Sequence, residues 1–251
     1  MAAGMAKQGA IPVFAVYSTF LQRGYDMLIH DVALEGLHVV LGVDRAGLVG
    51  PDGATHQGCF DTLFLPGIPG FTVLCPANFA ELRSMLRRAV LEIDGPVAVR
   101  YPRGGEGTFR EDRSQEPVVC LRQGSGVTLL AYGMMVNHAL EAARLLHKEH
   151  GVDARVLKLN QIAPLDGELL EPWFQGGEVL AVPEDAFGAG CVGQRIAAIL
   201  AEQGRAPGRL ILRNLSGTFA PEGSVAQLEH RFGLDGDGIA AAVWEAISHE
   251  Q

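Results

Sequence analysis

Short apolar runs recur along the chain at intervals that leave room for one helix between many of them. IPVFAVY (11–17), LHVVLGV (37–43), FTVL (71–74) and PVAVRY (96–101) are nearly unbroken hydrophobic stretches. Strands covered on both faces need that pattern, because neither side of the pleat meets water. Other segments change period. From Ser18, which can cap a helix, to about Leu34, the residues Phe20, Leu21, Met27, Leu28 and Val32 recur as an apolar stripe. Pro76 precedes a second helix from about Ala77 to Ile93, closed by Asp94-Gly95. Alternation of this kind predicts a mainly parallel sheet with helices on its faces.

The alternation stops at PRGGEGTFREDRSQEPVVCLRQG (102–124), where mixed charge, early glycines and no helical period predict a linker. It then restarts. Gly126 to Tyr132 and Ala154 to Leu159 predict strands joined by a helix from Val136 to His150 that ends at Gly151. Glu178 to Val182, a helix from about Gly190 to Gln203, and Leu210 to Leu215 extend the same design. The expected fold class is α/β: two small α/β domains with mainly parallel sheets, over 1–101 and 125–251.

Composition excludes several functions. The 251 residues carry a net charge of −9, which argues against nucleic-acid or anionic-membrane binding, since both depend on Lys and Arg. No run approaches the roughly 20 apolar residues of a membrane span. MAAGMAKQGAIPVFAV (1–16) has one lysine and a proline inside its apolar run, so it reads as a helix entering a strand and not as a secretory signal. Cys59, Cys75, Cys120 and Cys191 lie far apart with no C-x-x-C pair; no metal site is expected, and a reduced, cytoplasmic setting is.

One loop concentrates chemistry. DRAGLVGPDGATHQG (44–58) follows the carboxyl end of a predicted strand, where open α/β sheets bind ligands. Arg45 offers a planar fork suited to a phosphate or carboxylate. Asp52 and His56 suit proton transfer or the fixing of a hydroxyl. The same residues would also serve a solvated surface loop whose Asp and Gly make turns. His147 and His150 have metal-like spacing, yet they close a helix, where their polarity complements the dipole. Gly188, Gly190 and Gly193 form an imperfect phosphate-loop pattern, and Glu184 and Asp185 are expected to cap the helix that follows.

Three stretches carry a more specific likeness. YSTFLQRGYDMLIHDVAL (17–34), DRAGLVGPDGATHQG (44–58) and VRYPRG (99–104) together resemble the 1-deoxy-D-xylulose-5-phosphate synthases, thiamine-diphosphate-dependent members of the transketolase superfamily. The D-G-x-T-H-Q core is common to transketolases, whereas Y-S-T-F-L-Q-R and D-R-A-G point to the synthases. The likeness continues through VTLLAYGMM, LNQIAPLD and VPEDAFGAGCVG. It implies a pyrimidine-binding domain over 1–101 and a transketolase C-terminal domain over 125–251. It also implies roles. Phe20 is then the ring that stacks on the cofactor's aminopyrimidine, with Arg23 beside it and Tyr17 near cofactor and substrate alike. Arg45 and Arg103 match the pair that holds the phosphate of glyceraldehyde 3-phosphate. Asp52 and His56 match the pair that orients the substrate hydroxyl and moves protons. Periodicity alone would make Phe20 a core residue, and composition alone would make Arg103 a solvated linker charge.

Parts of the family pattern are missing. There is no G-D-G motif followed by asparagine-type ligands, which in the family holds magnesium and the diphosphate. The G-I-A-E-Q-H-A-like stretch whose glutamate activates the cofactor is also absent. MAAGMAKQG (1–9) resembles the helix just after that stretch, so the chain is expected to begin a few residues late and to be inactive alone. The resemblance implies that thiamine diphosphate meets this chain by its pyrimidine end only, and that Mg2+ comes with the missing N-terminal domain. A homodimer or a second polypeptide would complete the site. The complete enzyme would join a two-carbon unit from pyruvate to glyceraldehyde 3-phosphate, releasing carbon dioxide and giving a precursor of isoprenoids, thiamine and pyridoxal. Two alternatives stay open: a non-catalytic binding or oligomerisation module, and the small subunit of a two-chain transketolase. Ala77-Asn78-Phe79 departs from the family's acidic helix start, a change expected to affect capping more than chemistry.

Overall fold

Val40, Leu41 and Val43 are buried on both sides of the pleat and lie on an inner strand of a five-stranded sheet. A computed structural model describes residues 1–248. In it β1 (Val13–Tyr17), β2 (Val40–Asp44), β3 (Thr72–Leu74) and β4 (Val97–Arg100) run parallel in the order β1-β2-β4-β3. The expected apolar runs are strands, trimmed at their ends. Register sets Tyr17 opposite Asp44 and Val43 opposite Arg100, so the loops after β1, β2 and β4 share one edge.

The second sheet is built from β5 (Val118–Arg122), β6 (Val127–Tyr132), β7 (Arg155–Leu159), β9 (Val179–Pro183) and β10 (Arg209–Arg213), in the order β10-β9-β6-β7-β5. It is parallel apart from β5, which pairs antiparallel with β7. That strand lies inside the stretch 102–124, where the flanking charges mask the apolar run Val118–Leu121. A further strand, β8 (Gln161–Ala163), leaves the second sheet and pairs antiparallel with β3, covering an edge that would otherwise be open. The two sheets are therefore tied by one continuous segment.

The stretch expected to be one helix from Ser18 changes winding repeatedly. An α-turn (Ser18–Leu21) passes into a 3₁₀ turn (Gln22–Gly24), another α-turn (Tyr25–Met27) and a π-turn (Leu28–Ala33). Gly24, a weak helix former, sits at the second change of winding, where the 3₁₀ turn ends. Leu21, Leu28 and Val32 are buried as expected, but Phe20 and Met27 face outward. The helix Phe79–Leu91 keeps its cap despite the unusual start: Asn78 Oδ1 accepts the Glu81 N–H at 2.9 Å, and Glu81 Oε2 accepts the Ala77 N–H at 2.8 Å. Met135–His150 ends at Gly151 with φ 67°, a left-handed cap. Two helices beyond the expected set, Val225–Phe232 and Gly236–Ser248, pack their Leu228, Ile239 and Val243 on its Ala139, Ala142 and Leu146.

Candidate functional site

Tyr17, Phe20, Arg23, Arg45, Asp52, His56 and Arg103 form one connected cluster at the carboxyl ends of β1, β2 and β4. Tyr17 ends β1, and the helical turn after it brings Phe20 back, so the two rings stack with centroids 5.4 Å apart. The Arg23 guanidinium lies 5.8 Å from the Phe20 centroid, and His56 meets the same ring edge-on at 5.6 Å. Phe20 nevertheless keeps 41% of its surface exposed. Arg45, the first residue after β2, has φ 55°, and its guanidinium sits 4.1 Å from the Tyr17 ring centroid. It donates to Asp52 Oδ2, while Arg103 Nη1 donates to Asp52 Oδ1 at 2.6 Å. One carboxylate thus lies between two guanidinium groups, the charge arrangement that a phosphate dianion needs.

Local structure explains why the loop has this shape. Gly47 and Gly58 exchange backbone hydrogen bonds of 2.7 and 2.8 Å, pinching the segment into a closed loop. Gly58 must be glycine because a Cβ there would lie 2.1 Å from the Arg45 carbonyl oxygen. Gln57 points into the loop, where Oε1 accepts the Val49 N–H at 2.7 Å and Nε2 donates to the Gly53 carbonyl at 3.3 Å. The His56 ring nitrogen Nδ1 lies 2.9 Å from Thr55 Oγ1, and Thr19 Oγ1 donates to the Thr55 carbonyl at 3.1 Å.

A cleft of about 330 Å³ opens beside Arg45 and Arg103, lined also by Asp44, Asn78, Tyr101 and Met134. Burial, helped by the Asp44 charge, raises the pKa of the Tyr101 phenol. Tyr101 ends an apolar run and so reads as core in the sequence. Met134 follows β6 in the other sheet, and no local signal ties it to this cleft.

Behind the loop lies a buried charge cluster that the sequence reading missed. Arg100, the last residue of β4, donates from Nε to Asp61 Oδ2 at 2.7 Å and from Nη2 to Asp185 Oδ1 at 3.4 Å. Burial pushes the Asp61 carboxyl up, against the pull of Arg100. The only signal was a charge inside PVAVRY. Glu184 caps the helix Val192–Glu202 as expected, accepting the Val192 and Gly193 N–H groups at 2.9 and 2.8 Å and the Tyr132 hydroxyl at 2.9 Å. Asp185 does not cap it; it turns the other way, to Arg100.

The remaining candidates have other partners. His147 Nδ1 lies 2.8 Å from Asp153 Oδ1, whereas His150 stacks on Trp244 with centroids 3.9 Å apart. Among the described residues no group of three or more His, Cys, Asp or Glu is arranged to hold a metal. Gly193 serves packing, since a Cβ there would lie 2.5 Å from Leu212 Cδ2. Gly236-Asp237-Gly238, the one G-D-G tripeptide in the sequence, opens the last helix, and no asparagine follows it.

Residues 1–105 match the family described as transketolase, pyrimidine binding domain, and residues 117–239 match transketolase, C-terminal domain. Among curated relatives, the 1-deoxy-D-xylulose-5-phosphate synthase of Chlorobium luteolum is 43% identical over 249 residues, covering 97% of this chain and 39% of that protein. The enzyme of the same name from Thioalkalivibrio sulfidiphilus is 44% identical over 252 residues, covering 97% and 38%. The chain therefore spans about two fifths of the length of these relatives. A solved structure described as a split gene transketolase, inactive β4 tetramer, superposes with a TM-score of 0.82 at 28% identity, covering 98% of this chain and 80% of its own.

Proposed function

Because this chain belongs to the transketolase family, with that family's pyrimidine-binding and C-terminal domains, we propose that it forms the pyrimidine-binding and phosphate-holding part of a 1-deoxy-D-xylulose-5-phosphate synthase. The observation that carries the reading is the convergence of Arg45 and Arg103 on one carboxylate beside the open face of Phe20. Phe20 fits an aminopyrimidine: a π-face accepts a flat heterocycle without hydrogen bonds, and Tyr17 braces the ring. When bound, thiamine diphosphate supplies the carbon centre that takes up the two-carbon unit of pyruvate.

The chain's own residues bind and orient. Arg45 and Arg103 take the phosphate of glyceraldehyde 3-phosphate, exchanging Asp52 for the dianion. His56, with Nδ1 engaged by Thr55, holds or moves a proton at a substrate oxygen through Nε2. Asp52 orients the substrate hydroxyl once it leaves the clamp. The magnesium–diphosphate site comes from a domain outside these 251 residues, in a homodimer or on a second polypeptide, and the isolated chain turns over no pyruvate. Four free cysteines suit a cytoplasmic setting.

A second reading, the partner-dependent small subunit of a split enzyme, draws support from the likeness to the split transketolase. One experiment tests both. The chain is assayed for carbon dioxide release from pyruvate and glyceraldehyde 3-phosphate, alone and with a separately expressed diphosphate-binding domain of a related synthase. Turnover only in the mixture is expected. Turnover by the chain alone overturns the partition of the site, and no turnover in either case favours a non-catalytic module.

A further inference from the structure

The site loop rests its back on the other domain, and one carboxylate there makes a very close approach. Glu184 and Asp185 follow β9, and consecutive side chains leaving a strand point to opposite sides. Glu184 turns to the helix start at Val192, so Asp185 faces the first sheet, where Arg100 holds it. The carboxylate is thereby pressed on Gly47: a Cβ on that glycine would lie 1.6 Å from Asp185 Oδ2. Gly47 also has φ 76°, a conformation glycine adopts freely and other residues rarely do. Its paired hydrogen bonds to Gly58 close the loop that carries Arg45, Asp52 and His56.

We propose that Asp185 is a positioning residue, the wall that fixes Gly47 and, through the Gly47–Gly58 pairing, aims Arg45 and Asp52. This gives the C-terminal domain a part in the site without any contact to substrate. The functional half of the inference rests on reading the loop as phosphate-binding. Other contacts steady the loop's flanks: the Phe187 N–H donates to the Cys59 carbonyl at 3.1 Å, and the Phe187 ring stacks on Phe60 at 4.2 Å. Asp185 bears on the pinch itself.

Hydrogen exchange on the full chain tests the positioning, and titration with inorganic phosphate tests its consequence. Asp185→Asn keeps the shape and one oxygen for Arg100, so exchange and phosphate affinity should stay within about twofold of the parent. Asp185→Ala removes the wall, and the Gly47 and Gly58 amides should exchange about tenfold faster or more, while Leu129 and Leu180 in the second sheet keep their protection. Phosphate affinity should fall about tenfold in that variant. Gly47→Ala alone should loosen Gly58 likewise; combined with Asp185→Ala, which clears the collision, it should cost less than the two single effects together. The inference is overturned if Asp185→Ala leaves Gly47 and Gly58 unchanged, or loosens Leu129 and Leu180 equally. Should Asp185→Ala not fold, unchanged exchange at Gly58 in Gly47→Ala overturns it from the other side of the contact. Arg45→Ala separates the two levels: intact phosphate binding there removes the phosphate reading, while the exchange result still decides the positioning.

Discussion

Lys158 Nζ lies 3.0 Å from Glu81 Oε1, and both side chains are wholly shielded from water. One belongs to β7 and the other to the helix beside the first sheet, so the pair bridges the two halves of the chain. Burial pulls the Lys158 pKa down, although Glu81 opposes it. Each charge has further partners: Lys158 donates to Asn160, and Glu81 accepts the Ala77 N–H at 2.8 Å and the Arg113 N–H at 3.2 Å. Removing one partner strands the other in a dry site. Lys158→Ala or Glu81→Ala should therefore cost about 3–5 kcal/mol in urea unfolding, and Lys158→Met with Glu81→Leu markedly less than the two singles summed. A single loss below about 1 kcal/mol would mean that water reaches the pair.

Such pairs mark the limit of what the sequence discloses. Strands buried on both faces announce themselves as apolar runs, as at Val127–Tyr132, because burial dictates their composition. A three-residue strand such as Gln161–Ala163 depends on a neighbour more than 80 residues earlier, and nothing local encodes that pairing. The site divides in the same way. Arg45, Asp52 and His56 share one loop and were legible as chemistry, and Arg103 and Phe20 only through family wording. Phe20 and Met27 face outward because a 3.6-residue period sets them roughly a quarter turn away from Leu21, Leu28 and Val32, at the margin of the apolar stripe. Arg100, Asp61 and Asp185 come from three separate segments and meet only in the folded chain.

If Arg45 and Arg103 form the clamp, Arg45→Ala or Arg103→Ala in the completed enzyme should weaken use of glyceraldehyde 3-phosphate by about 1.5–3 kcal/mol, roughly ten- to a hundredfold. Pyruvate has no phosphate, so its KM should change far less. Phe20→Ala should do the reverse and raise the requirement for cofactor first. Kinetics with each component varied in turn separate the cases; equal impairment for both substrates by Arg45→Ala would make it a prop of the loop.

His138 predicts a pH dependence of stability. Burial opposes charging its imidazole, but the hydrogen bond and charge of Glu229, 3.0 Å away, outweigh that, and the pKa rises above 6.5. A raised folded pKa adds stability that is complete below the unfolded value and is lost as pH rises through the folded one. Thermal melts from about pH 6 upward should show that loss, worth less than about 1 kcal/mol for a partly exposed pair. Glu229→Gln should flatten the profile, and an unchanged slope would remove the assignment.

The outer strand predicts association. β1 is an edge strand with Val13 56% and Phe14 47% exposed, next to an apolar groove of about 450 Å³ that Met5 and Met27 also line. An open edge with an apolar face promotes pairing with another chain. Sizing of the isolated protein should give dimers or larger species, and Phe14→Lys should shift them to smaller ones. A monomer at high concentration would contradict this.

Asp52 gives the most discriminating test of the clamp. Its carboxylate occupies the space between Arg45 and Arg103, so an incoming phosphate competes with it for both guanidinium groups. Asp52→Asn keeps the size but removes the charge, leaving the two cations without their anion. Inorganic phosphate should then bind more tightly, by about fivefold if the lost competition is worth ~1 kcal/mol for this partly exposed group. If Asp52 orients the substrate hydroxyl as proposed, turnover by the completed enzyme should fall at the same time. Tighter binding with slower turnover is the signature of a residue that guards the clamp when empty and serves the substrate when it is filled. If Asp52→Asn instead weakens phosphate binding, the carboxylate is a strut holding the two arginines in place, and the exchange between Asp52 and the dianion does not occur.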